Sequence, residues 1–374
     1  MPVLIPYFLS LGLSMHEIFQ IQAIYGLVAV LFEIPTGYLC DFWGRKKSLL
    51  LGALFAGAGF TSLIWADNFW KLAFYEAVLG ISASLISGAD ISLLYDSTQG
   101  QSRKEASRAL AGLQFSLLLG ESIASLLGGY LVTFSFQHVV YANAVVSWIP
   151  LLVAFFVNEP PYERMNRKTH VKNFQEVFRH VFLNPDKILI FSFVNLILWS
   201  LSGFIAVWVF QKYWVENGIS LGSFGILWAS YNITAAVVGA YVHNLEHRFG
   251  PVPLLILIGA APVFGYLGMG LSGGVIGVSF GFLFYVGRGL NSVLLRDALN
   301  WRTPSAYRAT VNSLQSFFFR VGFAIVGPGV GYLADQYGIK ITLVGLGVCF
   351  AILMFVTLLP MVILVRTKKY IPES

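Results

Sequence analysis

The chain is built from long apolar runs separated by short polar breaks. Bounded by charges, Gly/Pro pairs or Asn/Asp, the runs fall at residues 2–14, 17–38, 48–66, 70–94, 107–134, 138–157, 187–211, 220–242, 251–270, 275–298, 307–335 and 339–364. About 20 apolar residues carry a helix across a bilayer. The runs are continuously apolar rather than alternating, and about twice as long as barrel strands, so they predict helices and not a β-barrel. The first run is short, roughly 20 Å of helix against a core of about 30 Å. Either that helix continues to about Ile18 or the native chain has residues before Met1. A signal peptide does not fit, because a basic leader and a small-x-small cleavage site are missing. The longest polar stretch, 158–186, opens with the helix stop Glu159-Pro160-Pro161. Within it Phe174, Val177, Phe178, Val181 and Phe182 predict an amphipathic helix lying on the membrane surface. The chain thus divides into a six-helix bundle over 1–157, a linker over 158–186 and a second six-helix bundle over 187–374.

Composition agrees with lipid as the main solvent. Hydrophobic residues make up 57% and charged residues 11%, against about 25% charged in a soluble domain. Cys40 and Cys349 stand far apart without a CxxC pair, which excludes a disulfide framework and a thiol-based metal site. The net charge of +6 forms no patch for nucleic acid. Instead the basic residues mark sidedness. Eighteen fall in one set of loops, including Arg45 to Lys47, Arg103, Lys104, Arg108 and the linker. The opposite set holds only Lys71, Lys212 and Lys340. By the positive-inside rule both termini are expected in the cytoplasm of a multi-pass inner (plasma) membrane protein.

The halves repeat at an offset near 200 residues. Arg108–Ser116 matches Arg308–Ser316, Gly128–Leu131 matches Val330–Leu333, and Asp96 matches Asp297. Parallel six-helix repeats about an axis along the membrane normal are a transporter architecture.

The loop Gly37–Lys47, GYLCDFWGRKK, resembles the signature of the major facilitator superfamily between helices 2 and 3. Gly37, Leu39, Asp41, Gly44, Arg45 and Lys46 match it. The resemblance implies an all-α fold of twelve transmembrane helices in two pseudo-symmetric bundles. It also implies a conformational gate, in which Asp41 latches the halves and Arg45 pairs with Asp96. The second-half copy, Gly239–Gly250, has lost the Asp. Span 5 resembles the family's antiporter signature through Ala111, Gly120, Ala124, Gly128 and Gly129, with Ser125 in place of Pro. Span 4 resembles the helix-4 pattern, with Glu76 where the family has an Arg tied to proton handling. The family's cavity, lined by helices 1, 4, 7 and 10, would receive Tyr7, Asn195, Trp199, Tyr285 and Arg288, with Tyr231 and Asn232 nearby.

Ionisable residues inside spans are costly and point to function. Glu33, Glu76, Asp90, Glu121, Arg288 and Arg320 are the candidates. Glu76 is near the outer end of span 4, where it can snorkel. A carboxyl in low dielectric can take a proton near neutral pH, which makes Glu121, Asp90 and Glu33 the proton-coupling candidates. Arg288 and Arg320 offer planar forks for a carboxylate or phosphate. At the repeat offset Arg320 falls within a turn of Glu121, so a salt bridge between the bundles is the alternative to a substrate site. The G-x-S-x-G at Gly270–Gly274 lacks a preceding strand, and the H-x-x-E-H at His243–His247 lacks a third metal ligand. With no Walker A sequence and no cofactor motif, neither ATP-driven transport nor cofactor chemistry is encoded. The expectation is a monomeric secondary transporter, surrounded by lipid, exporting a small amphipathic or anionic solute by proton antiport. Uptake of an anionic or zwitterionic nutrient by proton symport is the alternative; an enzyme or sensor lacks its catalytic or signalling parts.

Overall fold

The structure, a computed structural model, describes residues 2–87, 89–97, 103–159, 181, 186–304 and 307–368. Among these there are helices and no strand. In the first half they are α1 (Leu4–Ser10), α2 (Met15–Trp43), α3 (Arg45–Ser62), α4 (Phe69–Ser87), α5 (Asp90–Ser97), α6 (Arg103–Leu131), α7 (Phe136–Val146) and α8 (Ile149–Phe156). In the second half they are α9 (Lys187–Glu216), α10 (Leu221–Phe249), α11 (Pro251–Leu271), α12 (Gly274–Ser279), α13 (Gly281–Trp301), α14 (Arg308–Tyr337), α15 (Ile339–Leu353) and α16 (Leu359–Lys368). A π-helical turn, Met354–Leu358, joins α15 to α16. The amphipathic helix expected over 174–183 lies almost wholly outside the described residues.

Ten described helical segments are long and apolar enough to cross a membrane. Two of the twelve sequence runs are not among them. The fifth is the 29-residue α6, long enough at about 44 Å but diluted by charges in its first turns and by Gln114, Glu121, serines and glycines in the rest. The first is only the seven-residue α1. The continuation expected to Ile18 does not form. Gly12 takes φ +86°, and Ser14 starts a new helix through a capping box. The Ser14 hydroxyl accepts from Glu17 N–H, and the Ser14 N–H donates to Glu17 Oε2 at 2.8 Å.

The chain forms two compact units. The first holds 1–166 together with 221–229 of α10 and 324–331 of α14. Its centre is α4 packed on α2 and α3, where small residues let backbones approach. Ser82 donates to Gly52 O (2.7 Å), Ser48 to Leu85 O (2.9 Å) and Thr36 to Ser84 O (3.1 Å). Gly80 lies against Tyr25 O and Val28. Further along, Gly225 presses on Ser125 O and Gly129, and Gly331 on Met15 and His16. The His16 Nδ1 is 2.8 Å from Pro328 O, an acceptor, so this nitrogen carries the hydrogen.

The second unit holds 167–220, 230–323 and 332–374. Its core is aromatic: Phe210, Tyr213, Trp214, Tyr231, Tyr266 and Phe284 are buried. Each tyrosine hydroxyl finds a carbonyl: Tyr266 to Ser202 O (2.6 Å), Tyr231 to Val278 O (2.7 Å) and Tyr213 to Ser272 O (3.2 Å). Outward, large apolar side chains such as Phe156, Ile325 and Phe355 are exposed, as lipid-facing helices require.

Candidate functional site

In the second unit α13 carries Arg288 with its side chain exposed, one turn from buried Tyr285. The guanidinium carbon sits 5.7 Å from the Tyr285 ring centroid, a cation–π distance. Tyr285 lies 5.1 Å from the Tyr231 ring and stacks on Phe210 at 6.5 Å. Asn232, next to Tyr231 on α10, is also buried. The fork of Arg288 is therefore presented from a rigid aromatic base. Arg320 is half-buried on α14.

Asn195 and Trp199 come together in a different way. Asn195 Nδ2 donates to Phe191 O (2.8 Å) and Thr357 O (3.1 Å). Its Oδ1 accepts from Trp199 Nε1 and from Thr357 Oγ1, both at 2.9 Å. Two donors and two acceptor sites are all this amide has. The node binds α9 to the π-helical turn and leaves Asn195 nothing to offer a solute in this arrangement.

In the first unit Glu121 is exposed on α6, while Glu33 on α2 and Asp90 at the start of α5 are half-buried. Tyr7 is buried against Phe8 and Phe136, with ring separations of 5.9 and 5.7 Å. It lines a cleft of about 340 Å³ with Asp67, Lys71, Gln137 and Tyr141. There Lys71 Nζ meets Asp67 Oδ2 at 2.7 Å, and this hydrogen bond holds the Asp67 carboxyl below the usual range. Glu76, expected to snorkel, does not. It is only 4% exposed, and its Oε1 accepts a 2.7 Å hydrogen bond from Gln22 Nε2.

The side chains of Asp41 and Asp96 lie outside the described residues, as do those of Arg103, Lys104 and Arg108, so the latch is described only at its turn. Gly44 has φ +101°, and a Cβ there would overlap the Glu159 carboxylate. That carboxylate accepts from the Arg45 backbone N–H at 2.5 Å, and Lys46 Nζ donates to Phe155 O at 2.8 Å. An anion thus sits on the N-terminus of α3, where the helix dipole favours it. Glu159 read in the sequence only as part of a helix stop. Its role depends on a contact 114 residues away. In the second unit the same repeat position that holds Asp41 holds His243, since Gly239 follows Gly37 by 202 residues as His243 follows Asp41. His243 Nε2 is 3.9 Å from Asp297 Oδ2, the counterpart of Asp96, and its Nδ1 is 3.9 Å from Glu246 Oε2. The lost Asp of the second copy is thus replaced by a base between two acids.

Comparison with known proteins agrees with this architecture. The family model described as Major Facilitator Superfamily matches residues 1–328. The chain belongs to the major facilitator superfamily. It is similar to the inner membrane transport protein YajR of Escherichia coli (strain K12), with 26% identity over 355 residues, 90% of this chain and 74% of that protein. It is also similar to the multidrug resistance protein MdtG of Proteus mirabilis (strain HI4320), with 24% identity over 91% of this chain and 86% of that one. Among solved structures, a bacterial homolog of the human lysosomal transporter Spinster, inward-facing and unoccupied, aligns with TM-score 0.77 and 14% identity. That alignment covers 98% of this chain and 92% of the other. A D-xylose–proton symporter aligns with TM-score 0.73 and 13% identity, covering 92% and 89%. The superfamily consists of transporters of small molecules, not enzymes, and this chain is a multi-pass inner-membrane transporter of the secondary type.

Proposed function

We propose that this transporter exports a small amphipathic or anionic solute by alternating access, driven by protons entering in exchange. The observation that carries this reading is Arg288, an exposed guanidinium inside a span, held over the buried Tyr285 ring. An arginine at membrane depth is retained for a partner, and its fork matches a carboxylate or phosphate. Arg320 extends the same charge preference, and Tyr285, Asn232 and Tyr7 supply an aromatic and amide surround. Asn195 and Trp199 act in this reading by fixing α9 rather than by touching solute. At least one of the acids Glu121 and Asp90, with Glu33 next in line, takes up a proton during the cycle, and Gly37, Asp41, Gly44, Arg45 and Asp96 form the gate. Both termini are cytoplasmic, and the monomer in its lipid is the working form. The relatives named multidrug resistance protein support export.

The test uses everted membrane vesicles energised to be acid inside, offered an anionic and a cationic fluorescent dye of similar size. Accumulation of the anionic dye, collapsing with the pH gradient, is expected. Arg288→Ala should reduce it at least ten-fold, and Arg288→Lys nearly as much, because lysine keeps the charge and loses the fork. Accumulation of the cationic dye alone, or an Arg288→Ala variant as active as wild type, overturns the anion assignment. Gradient-driven movement in the opposite direction establishes symport instead.

A further inference from the structure

The feature of the first unit that no gate or solute role absorbs is the pair Gln22–Glu76. The capping box at Ser14 places Gln22 about 12 Å along α2, and Glu76 lies about 10 Å along α4. Both side chains are at least 95% buried, and one 2.7 Å hydrogen bond joins them between helices. The charged groups of the surrounding elements are engaged elsewhere. On α2, Glu17 belongs to the capping box, and His16 binds Pro328 O and the Gln20 amide. On α3, Phe60 meets Tyr75 edge-on, while Arg45, Lys46 and Lys47 stand at the opposite end of that helix. Asp67 and Lys71, before and early in α4, pair with each other. The titratable side chains nearest along the two helices are the phenols of Tyr75, beside Glu76 on α4, and of Tyr25, one turn from Gln22 on α2, while Glu33 lies about 16 Å further along α2.

Burying an ionised carboxylate against one amide N–H costs far more than burying the neutral acid. A glutamine at position 76 would give an amide pair without that cost, so a carboxyl here brings one property an amide lacks: it exchanges a proton. Gln22 satisfies Oε1 in either state, which leaves Oε2 as the atom that gains or loses the proton. The site is too enclosed for a solute. Access for a proton is close by, since the cleft lined by Tyr7 and Asp67 reaches Lys71, which precedes Glu76 by about 8 Å along α4.

We propose that the Gln22–Glu76 pair is a proton-binding site of the first unit and that Glu76 carries a coupling proton of its own, in addition to the acids Glu121, Asp90 and Glu33. The second clause rests on the proton-coupled reading above; the first stands without it. Losing the proton places an uncompensated charge in the α2–α4 seam, beside the close contact of Gly80 with Tyr25 O. The seam relieves that charge only by admitting water or a cation, and this links proton release to helix movement.

The probe is the proton itself. Infrared difference spectra of the purified full chain in nanodiscs, recorded across pH in H₂O and D₂O, read protonated carboxyls through their C=O stretch. We expect a deuterium-sensitive band that disappears on alkalinisation. It should be absent from Glu76→Gln and present in Glu121→Gln and Asp90→Asn. In Gln22→Leu it should move to higher frequency, because the carbonyl loses its donor. A band unchanged in Glu76→Gln overturns the site. If that variant fails to fold, an unmoved band in Gln22→Leu overturns it equally. Vesicle transport separates the two readings. Flux indifferent to the pH gradient in wild type removes proton coupling but not a titrating Glu76. Gradient-driven flux that survives Glu76→Gln removes Glu76 from coupling and leaves the transporter reading intact.

Discussion

Inside a membrane protein a single amide can hold two distant segments together. Asn195 satisfies four partners, and removing it strands the buried Trp199 Nε1 and takes one partner from Thr357, whose hydroxyl keeps only Leu353 O. Each buried polar group left alone costs about 1–3 kcal/mol. Asn195→Ala is therefore expected to lower the thermal midpoint of the purified protein by several degrees, with Thr357→Val giving a smaller drop. Equal midpoints for Asn195→Ala and wild type would deny the node a structural role. The polar residue was visible in the sequence as an Asn inside an apolar run, and Trp199 four residues on was visibly its neighbour. Thr357 was not, because it lies 162 positions away and no helical period connects the two. Glu76 shows the complementary limit. Its cost was legible, but its distance from the helix end suggested snorkelling, and only the Gln22 contact shows that the side chain turns inward.

Helix ends and helix crossings decide where the elements sit. Ser14→Ala breaks the capping box and should cost about 1 kcal/mol of stability. Glycines at crossings are harder to replace. A Cβ on Gly225 would overlap the backbone of Ser125, whereas one on Gly203 meets nothing within 4 Å. Gly225→Ala is thus expected to reduce transport and thermal stability together, and Gly203→Ala to leave both unchanged or raise stability slightly. Similar behaviour of the two variants would show that the α6–α10 approach does not matter. The capping box S-x-x-E is present in the sequence at Ser14–Glu17, but the apolar run around it hides it, so continuation of the first helix to about Ile18 stood as one of two readings of that short run. Apolar periodicity places a span well and its ends poorly, because in lipid both faces of a helix are apolar.

At the scale of the whole chain, the helical membrane fold was the most legible property, since it depends on many residues at once, and sidedness is an expectation that draws on as many. Eighteen basic residues against three predict cytoplasmic termini. A C-terminal alkaline phosphatase fusion should be inactive and a C-terminal green fluorescent protein fusion bright; the reverse pattern would invert the topology. For the gate, Asp41→Asn should slow turnover several-fold while solute affinity stays near wild type; unchanged turnover would remove the latch. The π-helical turn at Met354–Leu358 has a further consequence, for insertions and deletions. Its wide turn already holds one residue more than an α-turn, so losing a residue inside it leaves α16 in phase, whereas losing one from α15 turns all that follows by about 100°. Leu359 to Val365 are apolar on every side except for Pro360, itself uncharged, so hydrophobic burial barely registers the slip. Thr357 registers it, because the rotation carries it toward the exposed position of Val356 and away from Asn195. The reading frame of the last helix is thus kept by one hydrogen-bonded threonine, and single-residue deletions in α15 should be tolerated only when a hydroxyl returns to the same place.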